Sequence, residues 1–167
     1  MDAIQALVSR RSVRKFKSDP VPREMLEAIV NAGRLAPSAR NVQPCEFVVV
    51  TDSGLRAALA DVNEYGKLIA QAPACIVVLS QPTKYYLEDG CAATTNLLNA
   101  AAALGLGGSC WVAGDKKPYA ARIVETVGAP PSMRLVAQVV VGWPDEIPTV
   151  KKRPLAEVLH WEQFTSK

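Results

Sequence analysis

Histidine is nearly absent from the 167 residues: His160 is the only one. Cysteine is scarce too, at Cys45, Cys75, Cys91 and Cys110, and no two of them have C-x-x-C spacing. Those spacings argue against a zinc or iron–sulfur site. Three of the four cysteines sit in apolar runs, where a thiol behaves as a small buried hydrophobe. A cysteine nucleophile would have one distant histidine as its base, which is thin support for nucleophilic catalysis. Neither G-x-G-x-x-G nor G-x-x-x-x-G-K-[ST] occurs, so a Rossmann or P-loop nucleotide site is disfavoured. There is no repeat of 20–50 residues and no low-complexity tract. Nor is there much net charge: 19 basic against 16 acidic residues leave +3, too mild to require a nucleic-acid partner. With 49% hydrophobic and 21% charged residues, disorder, collagen and coiled coil are disfavoured as well.

Met1–Arg10 carries Asp2 and Gln5 and has no continuous apolar core, so no signal peptide is expected. Cys91–Gly114 contains no charged residue, but Thr94, Thr95, Asn96 and Asn99 interrupt it and Gly105, Gly107 and Gly108 close it. That pattern predicts a helix buried on most sides and then a turn, rather than a membrane span. The expectation is one domain over residues 1–167, in the cytoplasm.

Ile4, Leu7 and Val8 have helical spacing, and Met25, Leu26, Ile29 and Val30 give a second amphipathic helix from about Arg23. Ser38–Pro44 reads as a polar loop. Strands are predicted at Glu46–Thr51, Ala74–Ser80, Ser109–Ala113 and Leu135–Gly142. Helices are predicted at Ser53–Leu59, Leu68–Ala72, Glu88–Leu104 and Pro118–Val127, with one turn at Ala156–Leu159. Four strands interleaved with long helices make an α/β or α+β sandwich. Trp161 and Phe164 are large apolar groups in a tail with no strand partner, so they dock either on this domain or on a partner subunit.

Three constellations could carry chemistry. Arg10-Arg11-Ser12-Val13-Arg14 and Lys151-Lys152-Arg153 are basic clusters whose guanidinium forks suit phosphate oxygens, though solvated basic faces look the same. Pro37–Pro44 is a proline-bounded loop presenting Ser38, Asn41 and Gln43, whose amides can read the edge of a planar heterocycle. The segment Gly105–Gly114 ends in a glycine that lets backbone approach a ligand closely, or that simply ends a strand.

In their order along the chain these motifs resemble the FMN-dependent nitroreductase family, in its short-chain form. The resemblance runs from Arg10–Phe16 through Ala36–Pro44, Asp89-Gly90, Ala102–Gly108, Trp111–Gly114 and Gly142-Trp143-Pro144 to Arg153-Pro154-Leu155. It implies an α+β fold with a mainly antiparallel central sheet sandwiched by helices, its C-terminal tail exchanged in a homodimer. It implies FMN as cofactor, two per dimer at the interface, with NADH or NADPH as electron donor and a small electron-poor molecule as acceptor. Arg10, Ser12 and Arg14, with Arg11 beside them, take the family's phosphate-binding role, and Lys151 and Arg153 match its C-terminal phosphate contacts. Pro37, Ser38 and Asn41 match a loop that reaches FMN from the other subunit. Ala113 and Gly114 match the backbone facing the flavin's reactive edge, and Lys67 matches a ribityl or pyrimidine contact. No catalytic side chain is implied, since the flavin carries the chemistry. Cys45 stands where many members have an aromatic residue. Reductive dehalogenation, enone reduction or flavin breakdown on the same scaffold are alternatives, and a lid using Glu64, Tyr65 and Lys67 would favour the first. A non-enzymatic flavin-binding regulator is another.

Overall fold

Cys45–Val50 (β1), Ala74–Ser80 (β2), Gly107–Val112 (β3) and Arg134–Gly142 (β4) form one antiparallel sheet in the order β1-β2-β4-β3. They belong to a computed structural model that describes residues 2–62, 66–112 and 116–165. β2 is buried along its whole length, because both faces of this central strand are covered. Its side chains alternate: Ala74, Ile76 and Val78 enter one core, and Cys75, Val77 and Leu79 enter the other.

Two helices cover the first face: Arg23–Arg34 (α2) through Leu26 and Ile29, and Tyr86–Ala103 (α5) through Leu97 and Ala101. Ser53–Ala60 (α3), Lys67–Gln71 (α4) and Ala120–Thr126 (α6) cover the second, through Leu59, Ile69 and Ile123. Each such side chain, fully buried, contributes roughly 1.5–3 kcal/mol. The helix-sandwiched antiparallel sheet is thus the architecture expected from the motifs. Two outlying helices remain, Ala3–Ser9 (α1) against α5, and Leu155–Val158 (α7) in the tail. No helix among the described residues is long and apolar enough to cross a membrane.

Some boundaries moved. α5 starts at Tyr86, before the predicted Glu88, and α6 starts at Ala120 because its amide closes a turn onto the Lys117 carbonyl. The turn in the tail begins at Leu155 rather than Ala156, since Pro154 sets the helix entry and Leu159 is already extended. α5 was expected to be buried on most sides. In the single chain it fully buries one face, Asp89, Gly90, Ala93, Thr94, Leu97 and Ala101, half-buries most of the rest, and exposes Glu88, Thr95 and Ala103.

Candidate functional site

The basic N-terminal segment leaves α1 in extended backbone at Arg10 (φ −53°, ψ 132°) and is then fastened along the sheet. Ser12 bridges Gly108 in parallel, with the Val13 amide donating to the Gly108 carbonyl at 3.1 Å. Phe16 bridges Pro144, the Lys17 amide donates to the Trp143 carbonyl and the Asp145 amide to the Lys15 carbonyl. Lys15 also pairs with Glu146. The segment therefore lies beside the start of β3 and the end of β4, with the tail setting out alongside it.

Side chains in extended chain alternate in direction. Val13 points inward and is buried, so Ser12 and Arg14 share the opposite side, and Arg10 continues that row. Arg10 and Ser12 are half-buried and Arg14 is exposed. Two guanidinium forks and a hydroxyl in one row form a donor set suited to a phosphate dianion. Arg11 is turned elsewhere: it donates to the Val8 and Arg10 carbonyls, both at 2.9 Å, and so satisfies the C-terminal end of α1.

Gly107 is what lets this segment sit so close. A Cβ there would lie 2.6 Å from the Val13 Cβ. Gly107→Ala is expected to destabilise the chain by about 1–3 kcal/mol, as overpacking does, and to push the Arg10–Arg14 row off the sheet. Thermal unfolding measures the first effect and phosphate-ligand affinity the second.

The loop after α2 contains one short turn, Ala39–Asn41, in place of irregular chain throughout. Arg40, Asn41 and Gln43 have φ of 56°, 55° and 53°, a left-handed region that L-residues enter at a cost. Hydrogen bonds within the loop and one from α5 hold them there. The Asn41 amide donates to the Ser38 carbonyl and the Gln43 amide to Ser38 Oγ, both at 2.9 Å. The Ala39 amide donates to Asp89 Oδ1 at 2.9 Å. Because Ser38 Oγ accepts within the loop, its hydrogen is left to donate outward. The Asn41 residue is exposed.

The Nitroreductase family model matches residues 7–77, a span that contains both the basic segment and this loop. A protein of Archaeoglobus fulgidus, provisionally named NADH dehydrogenase/NAD(P)H nitroreductase, is 32% identical over 154 residues, covering 87% of each chain. The chain belongs to the nitroreductase family. A relative of the same provisional name in Methanothermobacter thermautotrophicus is 34% identical over 112 residues, which span 64% of this chain and only 59% of that one. Among solved structures, a protein of Desulfovibrio desulfuricans provisionally named a nitroreductase, solved in complex with FMN, is 30% identical. It superposes with a TM-score of 0.86 over 99% of both chains.

The other nitroreductase-like positions are distributed as follows. Lys67 is exposed and opens α4. Lys151 and Arg153 lie in the exposed tail, where Arg153 pairs with Glu157 on α7 at 3.3 Å and donates to its carbonyl at 3.1 Å. Ala113 and Gly114 lie outside the described residues, as do Glu64 and Tyr65 of the lid considered for dehalogenation. Burial pushes the Cys45 thiol up to about 11, with Asp89 and Glu46 adding to the shift, and pushes Cys75 up to about 12. Both are protonated and inert near neutrality.

Asp89 was not foreseen as a site residue. The sequence signal was Asp89-Gly90, one of the motifs that carry the family resemblance, to which no role was attached.

Proposed function

We propose that this nitroreductase-family chain is an FMN-dependent oxidoreductase. It takes reducing equivalents from NADH or NADPH and delivers them to nitro compounds, quinones or similar electron-poor acceptors. It works in the cytoplasm as one domain, residues 1–167, paired in a homodimer with two FMN at the interface. The observation that carries the reading is the Arg10–Ser12–Arg14 row held against the start of β3. Beyond Gly108 the outer edge of β3 has no partner strand among the described residues. To Val112 it offers a track of about 14 Å at ~3.4 Å per residue. That suits an elongated ligand with a phosphate at one end and a flat ring at the other. The Archaeoglobus relative's name and the FMN complex of the Desulfovibrio neighbour support it.

Arg10, Ser12 and Arg14 hold the phosphate, and Lys151 and Arg153 close on it from the tail. Lys67 reaches the ribityl chain or pyrimidine, and backbone at Ala113 and Gly114 faces the ring's reactive edge. Pro37, Ser38 and Asn41 of the second copy complete the pocket. When bound, FMN supplies the group that accepts a hydride from the nicotinamide and returns it to the acceptor.

The second copy has surfaces to meet. Ile4, Leu7 and Val8 on α1 and Trp161 and Phe164 in the tail are all more than half exposed. A C2 pairing covers the α1 patch with its counterpart and gives each tail a place on the other copy. The outer edge of β1 is unpaired among the described residues, and beside it lies a cavity of about 930 Å³ lined in part by Val21, Leu26, Val30, Val49 and Pro73. The exchanged tail fits there.

Among the described residues there is one sheet, and the track follows its β3 edge, so donor and acceptor take turns over the same face. Initial rates are expected to give parallel double-reciprocal lines, with broad tolerance of flat acceptors; intersecting lines contradict a shared site. The protein is expected to purify yellow, with about one FMN per chain, bleached anaerobically by NADH or NADPH. Colourless protein that takes up no FMN would refute the reading.

A further inference from the structure

We propose that Asp89 is the positioning residue of the flavin-facing loop: from the first turn of α5 it holds the Ala39 amide, and thereby the left-handed turn that presents Ser38 and Asn41. The proposal rests on that loop being flavin-facing.

Asp89 is only 7% exposed. One carboxylate oxygen accepts the Ala39 N–H from fifty residues away in sequence, and the other is sealed from solvent with no hydrogen-bond partner. Burying a carboxylate with one oxygen unmet is costly. The helix itself does not require it, because the neighbouring exposed Glu88 already places an acid in the first turn. A local rule is broken here, and the adjoining loop shows what is gained.

That loop puts three non-glycine residues at positive φ within four positions. Such backbone persists only where its surroundings over-determine it. The bonds from Asn41 and Gln43 to Ser38 lie inside the loop and would move with it. The Asp89 bond instead anchors the turn to a fixed platform. Gly90, next along α5, lies so close to β4 that a Cβ there would be 2.5 Å from Val136 Cγ1. Asp89 therefore cannot drift from the sheet, and Ala39 cannot drift from Asp89.

The test compares Asp89→Ala, Asp89→Asn and Ala39→Pro, each titrated with FMN and with riboflavin. Asparagine keeps an acceptor for the Ala39 amide. Proline deletes that amide's hydrogen, and Ser38, at ψ 152°, already holds the backbone that a residue before proline prefers. Asp89→Ala and Ala39→Pro are expected to weaken both flavins about tenfold, and equally, because the loop meets the ring rather than the phosphate. Their bound-flavin absorption bands should shift. Asp89→Asn is expected to stay close to wild type, and adding Asp89→Ala to Ala39→Pro should cause no further loss. Hydrogen exchange on flavin-free protein should show the Asn41 and Gln43 amides exposed in Asp89→Ala while β2 stays protected, which separates a loosened loop from an unfolded chain. Unchanged flavin affinity in Asp89→Ala overturns the proposal. So does Asp89→Asn failing as badly as Asp89→Ala, or loop amides as protected as in wild type. Wild-type protein that binds neither flavin refutes the site reading itself, and the exchange result then decides the clamp alone.

Discussion

Alanine at both Arg14 and Arg153 is expected to weaken FMN binding by about 3–6 kcal/mol, at ~1.5–3 kcal/mol for each hydrogen bond to a charged group. Riboflavin binding should stay where it was, because riboflavin lacks the phosphate these residues would hold. The folded chain gives up little in exchange. Arg14 is exposed, and Arg153 loses an exposed ion pair with Glu157, a contribution of ~0.3–0.5 kcal/mol, and an exposed hydrogen bond to the Glu157 carbonyl. Parallel fluorescence titrations with the two flavins and an unfolding curve check this. Equal loss of both flavins would place the two arginines away from the phosphate.

Ending the chain after His160 is expected to abolish both dimerisation and flavin retention. Trp161 is 76% and Phe164 81% exposed, so neither ring contributes much to the fold that carries it. The tail is nonetheless shaped: His160 stacks on Phe164 at 4.4 Å between centroids and accepts the Thr165 amide at 3.1 Å. A small apolar knob held in this way is pre-organised to dock. Removing a buried Phe or Trp ring costs about 3–5 kcal/mol, and each copy contributes two. Sedimentation should show a monomer, and the truncated protein should be colourless. A yellow dimer after truncation would rule out the exchanged tail.

β2 was legible to the residue, from Ala74 to Ser80, because an unbroken apolar run is bounded by Pro73 on one side and Gln81-Pro82 on the other. Other boundaries shifted by a residue or two where no such punctuation exists, as at the start of α5. The antiparallel order β1-β2-β4-β3 is not readable from period or propensity. The resemblance implied a mainly antiparallel sheet but no strand order, which depends on contacts distant in sequence. The basic segment was legible as charge suited to phosphate, but which of its arginines lie together was not. Arg10 and Arg14 share a row, whereas Arg11 is engaged at the end of α1, a division that depends on where the helix stops. Asp89 was matched within the Asp89-Gly90 motif, but its role escaped for the opposite reason. Its partner amide is fifty residues away, and no local pattern announces a contact of that span.

A mixed dimer tests the central claim, that one flavin site is built from two copies of the chain. One copy carries Arg10→Ala with Arg14→Ala, the other Ser38→Ala with Asn41→Ala; the two are coexpressed with different tags, and the heterodimer is isolated. Each homodimer is expected to bind FMN weakly at both of its sites. In the heterodimer one site unites an intact arginine row with an intact loop, while the other collects both defects. The account predicts one tightly bound FMN per heterodimer. A heterodimer that binds FMN no better than either homodimer would contradict it, placing the row and the loop in the same subunit's site or in none.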